Sequence, residues 1–566
     1  MKTAVKFLFV CSLVLSVYCP RAEADTETHA IASAHPLATA AGFEILAAGG
    51  NAFDAAVAVA ATLAVVEPYN SGLGGGGFFL LHRAADDFDV MLDARETAPG
   101  KASADMYLDR KGKVIPGRSR EGPLAAGIPG IPAALEHLAL RYGRLSLQQT
   151  LAPAIRHARI GFVAGARQRA LTEAYLPLLQ RYPAAAAIFL QQGQMPVADY
   201  RLVQTDLAQT LELLAQKGAA GFYSGTMAQH MVKSVRTDGG IWREQDLQNY
   251  RVVERKPVTG EYRGMKIVTA APPSSGGIVL LETFNILGNF DLPPAGRAQR
   301  IHLLAEAMRR SYRDRAEHLG DTDFVSVPME KLLNPFYAAG LAAGIRIDRA
   351  SSSAALPGAP VISAGDDTTH FSIIDAAGNR VAATLSINFP FGSGYVVPGT
   401  GVLLNNEMDD FAAAPGVPNG YGLIAGADNP NRIEPGKRML SSMTPTFLEK
   451  DGRIAVLGTP GGSRIISMVL LAALNFWDGG TAAQMAKLPR FHHQFMPDQI
   501  VFEGKAFSWT HKKKLKAMGH RLDPMQGTYG NMQVVILDTA RNRLSAASDP
   551  RGEGLAEVRK IQKLKK

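Results

Sequence analysis

Cysteine is nearly missing from this chain of 566 residues: the only two, Cys11 and Cys19, stand close to its start. A disulfide framework, a cysteine nucleophile and a thiolate metal site are thereby excluded from everything downstream. Long apolar runs are scarce too. The longest, Phe7 to Cys19, falls short of the roughly 20 residues that span a bilayer as a helix. No HExxH-type pair is present, and the adjacent His492 and His493 diverge in any regular structure, so a structural role is expected for them and no metal site. The glycine run SGLGGGGFF, Ser71 to Phe79, has the spacing of a dinucleotide loop. A helical pattern precedes it and a strand pattern follows, the reverse of what such a loop needs, so its glycines are expected to let backbone approach a core or a ligand closely. The formal charge is +9, but the lysines and arginines are scattered, and the one tight cluster, Lys560 to Lys566, has no aromatic or groove-reading companions. A solvated tail is expected, and no nucleic-acid partner.

What is present begins with a leader. Lys2 and Lys6 precede the apolar run, and Ala22-Glu23-Ala24 has the small-x-small form read by signal peptidase. Residues 1–24 are expected to be a cleaved signal peptide, which places the mature chain in the periplasm or outside the cell, without a transmembrane span. Removing Lys2, Lys6, Arg21 and Glu23 lowers the charge by two, to a modestly basic protein.

From His35 the sequence predicts two alanine-rich helices. Pro36 suits a first turn, Gly49-Gly50 ends the first helix, Asn51 caps the second and Pro68 stops it. The stretch from Gly130 to about Ala220 is again helical in pattern. After Thr368 the period changes. THFSIID and RVAATLSIN, MTPTFLE and RIAVLG, and MQVVILD and RLSAAS are alternating pairs separated by AAGN, KDG and TARN, which predicts three hairpins of an antiparallel sheet. Helix layers over an antiparallel sandwich, an α+β fold, are the economical architecture. The stretch Ala350 to Gly365 reads as an exposed connector, and His370 as a satisfied core histidine.

The second half also carries polar islands in apolar surroundings: DDTTHFS, TLSINFPFGSGY, LLNNEMDDF, KRMLSSMTPT and GTPGGSRI. Such groups are costly to bury unpaired, so several together point to a site that pairs them with a ligand. In this order, with GGNAFDAAVA, EPYNSGLGGGG, DARETAP, GIPG, DLQNY, PPSSGG, PRFHHQ and SDPRG, they resemble the γ-glutamyltransferase (γ-glutamyltranspeptidase) family of N-terminal-nucleophile hydrolases over nearly the whole mature chain.

The resemblance implies a four-layer αββα sandwich formed by two subunits of one self-cleaved precursor. The large subunit would be residues 25–367, mostly helical, and the small subunit 368–566, with the scissile bond between Asp367 and Thr368. It further implies that Thr368 is the nucleophile, its own freed α-amine serving as a tethered base of pKa about 8. Arg95, Ser441 and Ser442 would bind the substrate α-carboxylate. Asn388, Glu407 and Asp410 would hold the α-ammonium, the Gly461 and Gly462 amides would form the oxyanion hole, and Tyr421, in the lid segment Pro418 to Pro430, would cover the pocket. Ser386 stands where members commonly carry a threonine that supports the nucleophile, and Glu407 where many bacterial members carry glutamine. The implied activity is transfer of a γ-glutamyl group from glutathione and related compounds to water, amino acids or dipeptides, with no metal or organic cofactor. The alternatives are a glutaryl or cephalosporin acylase of the same family, and an inert secreted binding protein on this scaffold.

Overall fold

In a computed structural model of the chain the described residues are 26–355, 368–414, 416–423 and 429–562. The leader, Asp367 and most of the connector lie outside them.

Thirteen strands build two large antiparallel sheets. In chain order they are β1 (Thr26–Ser33), β2 (Gly76–Arg83), β3 (Phe88–Asp93), β4 (Val253–Arg255), β5 (Val258–Tyr262), β6 (Met265–Thr269), β7 (Thr369–Ile374), β8 (Arg380–Ser386), β9 (Thr446–Lys450), β10 (Arg453–Gly458), β11 (Gln533–Asp538), β12 (Arg543–Ser548) and β13 (Leu555–Gln562). The first sheet runs β13-β1-β7-β8-β2-β3-β4 and the second β12-β11-β10-β9-β6-β5. All three hairpins expected from the alternating pairs form: β7 with β8, β9 with β10, and β11 with β12. The register was not foreseeable from the hairpins alone. β1 inserts between β13 and β7, and β2 pairs with β8, so strands from before and after Thr368 interleave in one ladder.

Side chains alternate across the first sheet, as strand geometry requires. Phe79, Leu81, Phe371 and Ile373 face one core, while Phe78, Leu80, Ile374 and Ala382 face the other. The first core is covered by α1 (Pro36–Ala47) and α2 (Ala52–Val66). Asn51 caps α2 by accepting from the Phe53 and Asp54 amides, and Asp54 returns the bond to the Asn51 N–H. The second core lies between the sheets and continues beneath α3 (Gly276–Leu287), α4 (Ala298–His318) and α5 (Ile465–Trp477). Helix, sheet, sheet and helix layers follow, the αββα order the resemblance implies. No helix among the described residues is long and apolar enough to cross a membrane.

Two expectations are refined here. The glycine run does carry close backbone approaches: a Cβ on Gly74 would lie 2.0 Å from the Leu403 carbonyl oxygen, and one on Gly75 2.1 Å from that of Ser386. The connector is not free at its beginning. Ser353 is buried, donates its hydroxyl to the Phe495 carbonyl at 2.7 Å and its amide to Asp498 at 2.7 Å, while the Ser351 amide donates to Glu306 at 3.1 Å. Charged groups reaching from α4 and from the segment after His493 hold it.

Candidate active site

The hairpin β7–β8 positions the first pair of functional groups. Its register pairs Thr369 with Leu385, which brings Thr368 and Ser386 to the same end of the ladder. Thr368 is 3 % exposed, and both residues line one cavity. Past the end of β8 the chain turns sharply. Asn388 takes a left-handed φ of 77°, uncommon for a residue with a side chain, and its amide donates to Ser386 Oγ at 2.7 Å. Its Nδ2 donates to the Asn406 carbonyl at 2.9 Å, which leaves Oδ1 as an acceptor.

A single helical turn, Glu407–Asp410, supplies two carboxyl groups to the same cavity. Arg95, buried at the end of β3, meets both: Nη1 lies 2.7 Å from Glu407 Oε2, and Nη2 donates to Asp410 Oδ2. Its Nε donates to the Met439 carbonyl at 3.3 Å. Burial pushes the Glu407 carboxyl well above its ordinary range and that of Asp410 upward, with Arg95 pulling both back. Burial also works against the Arg95 charge, but Glu407, Asp410 and Glu96 outweigh it and raise its pKa.

A hydroxyl pair lines the same cavity. Ser441 Oγ accepts from the Met443 amide at 3.1 Å, and Ser442 Oγ from Arg315 Nη2 at 3.2 Å. Each oxygen accepts a hydrogen bond from an N–H, and each keeps its own proton to donate. The PPSSGG segment props this wall: the Ser275 amide and hydroxyl both donate to the Ser441 carbonyl, at 2.8 and 2.7 Å, and Ser274 Oγ to that of Met443 at 2.5 Å.

The third wall is the turn after β10. Gly461 and Gly462 take φ of 139° and 54°, and among the described residues neither amide has an acceptor. Gly462 lines the cavity, and Gly461 precedes it in the turn. Tyr421 closes the top: it is 5 % exposed, stacks on Phe389 at a centroid distance of 4.7 Å, and donates its hydroxyl to the Asn388 carbonyl at 3.1 Å.

Ten of the site residues expected from the sequence therefore line one cavity: Arg95, Thr368, Ser386, Asn388, Glu407, Asp410, Tyr421, Ser441, Ser442 and Gly462. Such a constellation, a buried hydroxyl between paired acceptors, paired donors and free amides, suits acyl transfer from a zwitterionic head group. A model of the gamma-glutamyltranspeptidase family matches residues 38–558. The chain belongs to that family. It is 42 % identical to a glutathione hydrolase proenzyme of Pseudomonas sp. strain A14, over 96 % of this chain and 97 % of the relative. It is 39 % identical to an acylase ACY 1 proenzyme of Pseudomonas sp. strain V22, covering 92 % of each. Among solved structures, the cephalosporin acylase of Bacillus halodurans superposes with a TM-score of 0.83 at 26 % identity, covering 97 % of this chain and 99 % of that one.

The residues outside this set are the ones sequence reasoning handled least well. Arg315, on α4, also lines the cavity, yet the charge-dense run RRSYRDRAEH gives no hint that one of its arginines faces a pocket. Tyr312, one turn before it, donates its hydroxyl to the Ser463 carbonyl at 2.5 Å and so steadies the glycine turn. His370 and His492 each have hydrogen-bond partners at both ring nitrogens. His370 sits between Thr384 and Ser372 at 2.8 and 3.1 Å, with its pKa lowered to about 3 by burial, and His492 lies between Ser467 and Gln494, each at 2.9 Å.

Proposed function

We propose that this member of the family is an autoprocessed γ-glutamyltransferase and glutathione hydrolase, exported by its leader. Maturation begins when Thr368 Oγ attacks the Asp367 carbonyl carbon. The peptide C–N bond breaks, an ester forms, and water hydrolyses it to an Asp367 carboxylate and a free Thr368 amine. That amine then acts as base for its own hydroxyl. In turnover, Thr368 Oγ attacks the γ-carbonyl of the donor, the Gly461 and Gly462 amides hold the developing oxyanion, and the leaving amine departs with the proton taken from the hydroxyl. Water or an acceptor amine next attacks the γ-glutamyl ester and regenerates Thr368. Ping-pong kinetics follow from the two half-reactions. In this reading Ser386 steadies the nucleophile, Ser441, Ser442 and Arg95 serve the α-carboxylate, and Asn388, Glu407 and Asp410 serve the α-ammonium.

The observation that carries the reading is the polarity of the lining: hydroxyl donors and carboxyl acceptors share one cavity with Thr368. A glutaryl acylase has no use for acceptors beyond those Arg95 occupies, because a glutaryl group has no α-ammonium. Hydrolysis of γ-glutamyl-p-nitroanilide and glutaryl-p-nitroanilide by the processed protein decides between them. The first should be cleaved at least about a hundredfold more efficiently; the reverse preference would establish the acylase. Glycylglycine added to the same assay measures transfer.

A further inference from the structure

Arg315 is only 5 % exposed and lines the pocket. Its Nε donates to Ser275 Oγ at 2.9 Å and its Nη2 to Ser442 Oγ at 3.2 Å. Both partners are neutral. Among the described residues no carboxylate lies within 4.0 Å of its nitrogens, whereas Arg95, which lines the same cavity, has Glu407 and Asp410 in direct contact. Burial accordingly lowers the Arg315 pKa to about 10, with Tyr312 and the more distant Asp410 opposing the shift.

A buried guanidinium is stable only when an anion compensates it. Arg95 has two carboxyl groups in contact already. Arg315 has none within 4.0 Å among the described residues, and it lies directly behind a hydroxyl with a proton to give. Because Ser442 Oγ accepts from Arg315, its O–H is turned toward another acceptor, and the nearby guanidinium strengthens it as a donor. Through Ser275, which accepts from Arg315 and donates to the Ser441 carbonyl, the same guanidinium also fixes the backbone that carries both serines.

We propose that Arg315 is a specificity-determining positioning residue of the donor pocket: it holds Ser441 and Ser442 as a pair of donors and adds its positive charge behind them, beside the Arg95 charge that serves the α-carboxylate. This rests on the γ-glutamyl reading above.

The test compares two donors that differ by one group, γ-glutamyl-p-nitroanilide and 4-aminobutanoyl-p-nitroanilide, which keeps the amine and lacks the α-carboxylate. With R315Q as a processed two-chain protein, KM for the γ-glutamyl donor should rise about tenfold or more, kcat should change less than about threefold, and kcat/KM for the 4-aminobutanoyl donor should stay put. R315K, which keeps the charge without the fork, should recover part of the loss. Equal losses on both donors would reduce Arg315 to a structural part, and an unchanged KM would remove it from the pocket. Should R315Q fail to mature, R315K and S442A serve instead: each should raise KM for the γ-glutamyl donor, and combined they should cost less than the product of their separate effects. Independent, multiplicative effects would overturn the proposal. Wild-type protein that cleaves glutaryl-p-nitroanilide in preference to the γ-glutamyl donor sinks the underlying reading, and is distinguishable from a variant that loses activity on both donors alike.

Discussion

The ring of Tyr421 lies flat against Gly462: a Cβ built on that glycine would stand 2.4 Å from Tyr421 Cε1. The cover of the pocket and its amide wall are therefore one packed unit, and the smallest side chain at 462 separates them. Gly462 also holds a φ of 54°, which costs any other residue strain. Gly462→Ala should lower kcat for γ-glutamyl-p-nitroanilide about a hundredfold or more, the loss typical of a displaced oxyanion donor, with two-chain maturation checked separately by denaturing electrophoresis. Retained kcat would place the oxyanion elsewhere.

Thr368 should be needed twice. The wild type is expected to resolve into two chains of about 37 and about 21 kDa, in proportion to 60.5 kDa for the full 566 residues. Thr368→Ala should remain one chain and hydrolyse no γ-glutamyl amide. Two chains from that variant would assign the cut to another group.

Arg95→Lys exchanges a fork bonded to two carboxyl groups for a point charge that can satisfy one of them well. KM for the γ-glutamyl donor should rise about tenfold or more, because the acceptor wall loses its geometry. An unchanged KM, measured on properly processed protein, would take Arg95 out of substrate recognition.

Glu67, immediately after α2, gives a pH signature. It is fully buried, accepts from Asn70 Nδ2 at 3.0 Å, and burial raises its pKa to about 7 against the opposing effects of Thr369, Arg167 and Asn70. A raised carboxyl pKa means that the folded state binds the proton more tightly than the unfolded state. Its contribution is therefore full below the unfolded value near 4.5, falls as pH climbs to about 7, and then levels off, a loss of about 3 kcal/mol. Glu67→Gln should remove that slope. Tm measured at pH 5 and pH 8 should fall less with rising pH in the variant than in the wild type; parallel profiles would mean that Glu67 is ionised throughout.

Much of this was legible in the sequence, for physical reasons that differ by element. The three hairpins announce themselves because alternation and turn residues act within a few positions, and Asn51 announces α2 because a cap is local chemistry. The insertion of β1 between β13 and β7 had no local sign, since pairing partners more than 300 residues apart leave no mark on either segment. The polar islands flagged the pocket because unpaired polar groups in an apolar run need a reason. Arg315 escaped for the opposite cause. Its helix is so rich in charge that it imitates a solvated surface, whereas Arg309, Arg310 and Glu306 are all buried and pair with one another inside the protein.

The interleaved ladder has a consequence for the history of each molecule. With β1, β2, β3 and β4 on one side of Thr368 and β7, β8 and β13 on the other, all sharing one sheet, opening the chain before Thr368 leaves two pieces that cannot part without unzipping backbone pairs on several strands. Neither piece owns a complete sheet. The precursor folds as a single chain, at a rate independent of how many copies surround it. A protein cut at the proposed bond and then denatured would have to find its other half by collision, so its recovery should depend on concentration. Cleavage at the proposed bond would thus make folding a one-time event, after which the protein would persist by the slowness of its unfolding rather than by its ability to re-form.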